Sequence, residues 1–112
     1  MAMPKFILLI REDLTRYPME DAQLQNIINA HRNWAKNLSE RGLFIAGNGM
    51  PEQGIIVENI GGEIVESSLR DVKEGIGGFY IIQVESFDAA VKIAKECPTF
   101  SDGDKIEVRP LM

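Results

Sequence analysis

Residues 5–10 read Lys-Phe-Ile-Leu-Leu-Ile, and residues 79–84 read Phe-Tyr-Ile-Ile-Gln-Val. Both runs are rich in the aromatic and branched side chains that fit a pleated strand. A strand wet on one face alternates apolar with polar residues. Phe6 through Ile10 and Phe79 through Ile82 do not, and are apolar on both faces. Each of these strands therefore requires apolar cover on two sides.

Working outward, the first cover is helical. From Met19 to Arg41, Leu24, Ile27, Ile28, His31, Trp34, Ala35 and Leu38 recur at three- and four-residue steps and share one face. Gly42 is placed to stop that helix. A second stripe, Phe87, Ala90, Val91 and Ala94, follows the strong strand, with Ser86 as its cap and Pro98 beyond its end. Leu43–Ala46, Gly54–Glu58, Glu63–Val65 and Lys105–Arg109 read as further strands, with Gly61-Gly62 as a hairpin turn. Arg11–Pro18 reads as a connector, Ser67–Gly77 as the main loop, and Gly75-Ile76-Gly77-Gly78 as a structural turn.

The order is βα, then β with a hairpin, then βαβ. It predicts a single α+β domain over residues 1–112, with both helices on one face of an essentially antiparallel sheet. The other apolar face then needs its own layer, and the simplest closed solution is a C2 homodimer with the sheets face to face.

Bulk properties exclude several function classes. Seventeen acids against twelve bases give a net charge of -5, and the bases are scattered singly from Lys5 to Arg109. Nucleic acid and anionic membrane surfaces are poor partners for such a chain. No apolar run reaches the length of a membrane span, and the run after Lys5 is too short for a secretory signal. Cys97 is the single cysteine, as expected for a reducing, cytoplasmic setting.

Chemistry-bearing residues are few. Gly47-Asn48-Gly49 lacks the third glycine and following helix of a dinucleotide fingerprint. One histidine and one cysteine on different elements do not make a zinc centre, and no cofactor is implied. Cys97, at a helix C-terminus, lies at the wrong end to be activated and reads as a small core residue.

His31 remains. On the apolar face of its helix it is either a core histidine or an imidazole facing a pocket between helix and sheet, able to move a proton near neutral pH. No carboxylate stands three or four residues from it. Glu40 is nine residues on, about 13.5 Å along the axis and on the opposite side. An orienting acid is therefore expected from the Glu66–Glu74 loop or from another subunit. Arg70, Lys73 and Arg109 are candidates to hold a small anionic ligand.

Several blocks together resemble the YCII-related (YciI-like) family, and in particular its DGPF-domain branch. They are Gly42–Gly47, Gly77-Gly78-Phe79-Tyr80-Ile81-Ile82, Glu85–Ala90, Ala94–Pro98 and Glu107-Val108-Arg109-Pro110. The naming tetrapeptide is degenerate, since Glu66-Ser67-Ser68-Leu69 stands in its place. The resemblance implies a ferredoxin-like βαββαβ fold, here with an extra hairpin, that dimerises into an α/β barrel. It also implies that His31 corresponds to the histidine of a family histidine–aspartate pair, with Glu40 near the position of the acid.

Two functional classes follow. One is a small-molecule enzyme of lyase or isomerase type using His31 as general acid or base. The other is a non-catalytic ligand-binding or protein-interaction module.

Overall fold

Strands β1 (Lys5–Asp13) and β5 (Glu74–Gln83) lie side by side, antiparallel, with Phe6 opposite Ile82, Leu8 opposite Tyr80 and Ile10 opposite Gly78. The computed structural model describes residues 3–112, apart from the side chains of Arg70 and Asp102. Strand β2 (Phe44–Gly49) pairs with β5 and β6 (Lys105–Pro110) with β1, which gives a four-stranded sheet in the order β2-β5-β1-β6. Every neighbouring pair is antiparallel.

Because side chains alternate along a strand, this register puts Phe6, Leu8, Ile10, Tyr80 and Ile82 on one face, all buried. Helix α1 (Asp21–Glu40) adds Trp34 and Leu38 to that face, and α2 (Phe87–Ala94) adds Ala90, Ile93 and Ala94. The helix ends follow local chemistry. Gly42, at φ 73°, closes α1 as its N–H donates to the Ser39 carbonyl while the Leu43 N–H donates to that of Leu38. This is the paired C-terminal capping pattern that a left-handed glycine permits. At the start of α2, the Ser86 hydroxyl accepts from the Ala89 N–H at 3.1 Å.

Two expectations are corrected here. The dimeric α/β barrel is not what the chain builds. The four-stranded sheet is open, ending at β2 and β6, and the hairpin β3–β4 (Ile55–Ile60, Glu63–Ser68) forms a separate two-stranded sheet. Closure requires every edge to be paired, and the smallest side-chain-filled barrels use about eight strands. Among the described residues, four strands with a separate hairpin leave both edges without a strand partner. The fold is therefore a mixed α+β fold of two sheets and two helices, and the ferredoxin-like barrel assignment does not stand.

The second correction concerns the segments read as connector and loop. Arg11–Asp13 and Glu74–Gly78 are strand, paired Arg11 to Ile76, Glu12 to Gly75 and Asp13 to Glu74. The register shifts between Ile10 and Arg11, where Gly77 has no partner on β1. The glycine run is thus a bulged strand rather than a turn, and the extra residue lets β1 keep its alternation through Glu12.

Leu38 is fully buried beneath α1. Leu38→Ala is expected to cost about 2–5 kcal/mol, the usual range for an unfilled core cavity. Urea denaturation should show the lower midpoint with an unchanged native far-UV spectrum.

Candidate functional site

The apolar stripe of α1 does not press onto the sheet along its whole length. Trp34 and Leu38 seal the core at its C-terminal end, while Leu24, Ile27, Ile28, His31 and Ala35 line a cavity of about 510 Å³. Phe44, Gly47 and Tyr80 contribute its sheet side, and Met50, Pro51 and Glu52 come from the segment after β2. An apolar cavity with a few converging polar groups is the usual form of a small-molecule site.

His31 is half-buried on this wall, and its Nδ1 lies 2.6 Å from the Tyr80 hydroxyl. The same hydroxyl is 3.3 Å from the His31 carbonyl oxygen. The two rings are near parallel, inclined at 21° with centroids 5.9 Å apart, and the Trp34 ring meets Tyr80 edge-on at 4.8 Å. Burial, with a smaller contribution from Cys97, raises the Tyr80 pKa above the ordinary phenol range. Tyr80 is therefore a neutral phenol that keeps its proton at physiological pH.

A second titratable group stands on the same cavity. Glu12 is 8% exposed, lying one step beyond Phe6, Leu8 and Ile10 on the core face of β1. Its Oε1 accepts from the Tyr17 hydroxyl at 3.0 Å and its Oε2 from Arg16 Nη2 at 3.3 Å. Arg16 Nη2 also donates to Asp104 Oδ1 at 2.7 Å, and Asp104 Oδ2 accepts from the buried Thr99 hydroxyl at 2.9 Å. Space for the carboxylate comes from Gly77, where a Cβ would sit 2.3 Å from Glu12 Cδ. Desolvation raises the Glu12 pKa most; the Tyr17 hydrogen bond lowers it, Asp104 raises it again, and Arg16 lowers it. The net direction is up.

The residues expected from sequence are distributed unevenly. His31 lines the cavity. Glu40 is the exposed last residue of an unbroken α1 and does not line it, so it is not brought to His31. Lys73 is exposed, and Arg109 is exposed on β6, 3.8 Å from Glu107; neither lines the cavity. The Arg70 side chain lies outside the described residues. The charged lining is instead Glu12, Glu52, Asp104 and Arg32.

Tyr80 and Glu12 are site residues that sequence reasoning missed, as are Tyr17, Arg32, Glu52 and Asp104. Tyr80 and Glu12 were detectable by counting in twos along their strands, which puts Glu12 in step with Leu8 and Tyr80 in step with Ile82. Among the described residues, no group of three or more His, Cys, Asp or Glu side chains is placed to hold a metal ion. No described helix is long and apolar enough to cross a membrane. A family model, the YCII-related domain, matches residues 5–112. No curated protein matches the chain.

Because the folded chain holds the Glu12 proton to a higher pH than an unfolded glutamate does, this group's contribution to stability is fully present below the ordinary carboxyl range. It is lost as the pH rises through the raised folded value. Glu12→Gln is expected to remove that slope. Thermal unfolding from pH 4 to 8 should show the wild type losing ground to the variant as the pH increases.

Proposed function

Because the chain belongs to the YCII-related family, and because its one histidine lines a cavity of ligand size, we propose that it is a small-molecule enzyme of lyase or isomerase type. His31 is the acid–base group. The observation that carries this reading is the 2.6 Å contact of His31 Nδ1 with the Tyr80 hydroxyl on the cavity wall. A histidine serving only the core needs no cavity beside it. An imidazole oriented by a hydrogen bond on a cavity wall is arranged as proton-transfer groups usually are.

Several finer assignments go with the proposal. Residues 77–82 and 107–110 support the DGPF-domain branch, with Glu66–Leu69 replacing the naming tetrapeptide. The lone buried thiol of Cys97 supports a reducing, cytoplasmic setting. We also propose a homodimer. The outward side chains Ile7, Leu9, Phe79 and Ile81 are only half-buried in the single chain, and Ile55, Val57 and Ile64 on one face of the hairpin are well exposed. A second copy is the simplest cover for so much apolar surface.

The catalytic reading is tested by screening fragments against the isotope-labelled chain, then assaying turnover of the binders. Binders should shift the resonances of Leu24, Met50 and His31. For any compound that is turned over, His31→Gln should retain binding while kcat falls by about 10²–10⁴. Turnover at the wild-type rate would remove His31 from the mechanism, and binding without turnover of any compound would indicate a ligand-binding module. The dimer is tested separately by light scattering after gel filtration. Wild type should run at twice the chain mass and Ile81→Asp at the chain mass; a monomeric wild type sinks the proposal.

A further inference from the structure

We infer that Glu12 is the specificity-determining residue of the cavity, and that it selects a ligand carrying a protonated amine at one end of an apolar body. This rests on the reading of the cavity as the ligand site, and deepens it by naming the class of compound that fits there.

A carboxylate on the core face of a strand is costly unless its charge is compensated. Glu12 is buried, lines the cavity, and lies over Gly77, whose missing side chain leaves the room the carboxylate occupies. The Tyr17 hydroxyl donates to its Oε1 at 3.0 Å and Arg16 Nη2 to its Oε2 at 3.3 Å. An ionised carboxylate offers about four acceptor positions, so these two donors leave it capacity for a ligand. The charge compensation is shared as well. Arg16 Nη2 lies nearer to Asp104 Oδ1, at 2.7 Å, than to Glu12, so one guanidinium stands between two buried carboxylates. The balance shows in the Glu12 pKa. It is raised because desolvation, with Asp104 and Glu52 adding to it, outweighs what Tyr17 and Arg16 supply. A second cation would supply the remainder, and the cavity is the side from which a ligand can bring one.

The strand geometry gives the ligand its form. Leu8 of β1 stands opposite Tyr80, whose hydroxyl meets His31, and Glu12 is four residues further along β1. At about 3.3 Å per residue, the Cα of Glu12 is about 13 Å along the strand from that of Leu8. Ile10 lies between them, and Ile27, Phe44 and Met50 add apolar wall. A histidine–tyrosine pole and a carboxylate pole are thus separated by apolar surface, which suits an alkyl or aryl body with an ammonium at one end. The remaining charged groups on the cavity are Glu52, Asp104 and Arg32. Arg32 is exposed, where water and salt screen its charge, whereas the Glu12 and Asp104 side chains are buried, where charge acts more strongly. That contrast favours a cation over an anion.

The probes are 4-phenylbutylamine, 4-phenylbutanol and 4-phenylbutyrate, which share one apolar body and differ in the charge of the end group. In calorimetric titrations of the full chain at neutral pH, the amine should bind about 10- to 100-fold more tightly than the alcohol, the gain expected of a hydrogen bond to a charged group. The butyrate should bind more weakly than the alcohol. Glu12→Gln should remove the advantage of the amine and leave the affinity of the alcohol unchanged. In the isotope-labelled wild type, the amine should also shift the side-chain carboxyl carbon of Glu12, a readout that stands even if the variant does not fold. An alcohol that binds as tightly as the amine, an amine that does not bind, undiminished amine binding by Glu12→Gln, or an unmoved Glu12 carboxyl signal would each overturn the inference. None of these measurements requires turnover. An amine bound through Glu12 but not converted counts against catalysis and not against this assignment, while turnover of a neutral or acidic compound with no amine binding does the reverse.

Discussion

Everything in this molecule depends on the antiparallel register of β1 against β5. That pairing brings Leu8 opposite Tyr80 and Phe6 opposite Ile82, and so determines which side chains form the floor under the helices. A slip of one residue would turn this floor to the outside and bring Ile7, Leu9, Phe79 and Ile81 in. Since both sets are apolar, hydrophobic pattern alone leaves the choice weakly specified. The polar ends of the strands add discrimination. Only in this register does Glu12 face Gly75 and the bulged Gly77, where its carboxylate has space and hydrogen-bond donors. A slip would place it against residues with side chains.

The same register explains why a cavity exists. Glycines at 47, 49, 77 and 78 remove side chains from part of the β2–β5 surface facing α1. Bulky residues of α1 fill the space at Trp34 and Leu38, but Ile27, Ile28 and His31 stand over the glycine-lined region. The result is a partly open hollow of about 510 Å³ between well-formed elements. Two hydrogen-bonded sets of polar groups stand beside it. His31 and Tyr80 bond to one another, while Glu12, Tyr17, Arg16 and Asp104 form a network that satisfies a buried carboxylate. The second set matters to stability as well as to binding, because an unpaired carboxylate at that depth would be costly.

The outer face of the sheet and the hairpin have a common origin. Both are apolar surfaces that the two helices do not reach. A chain of 112 residues has limited material for a second layer, and here the hairpin is a separate ribbon with Ile55, Val57 and Ile64 exposed on one side.

Composition and periodicity were sufficient for the two helices, the four main strands and the hairpin turn. Three- and two-residue spacings directly encode which residues face a core. The place of His31 on the buried stripe of α1 was legible for the same reason, as was the stop at Gly42. The strand status of Gly75–Gly78 was not legible, because glycine has no side chain to alternate and its partner, Arg11–Asp13, is distant in sequence. The partner of His31 was likewise hidden. Tyr80 is a phenol 49 residues away in sequence, on a strand whose place is set by the β1–β5 and β2–β5 pairings. Glu40, close in sequence, was separated from His31 by the rigidity of one continuous helix. Local pattern thus determined the elements and the face each one buries. Long-range strand register, which no short window contains, decided the open sheet, the cavity and the residue that holds its histidine.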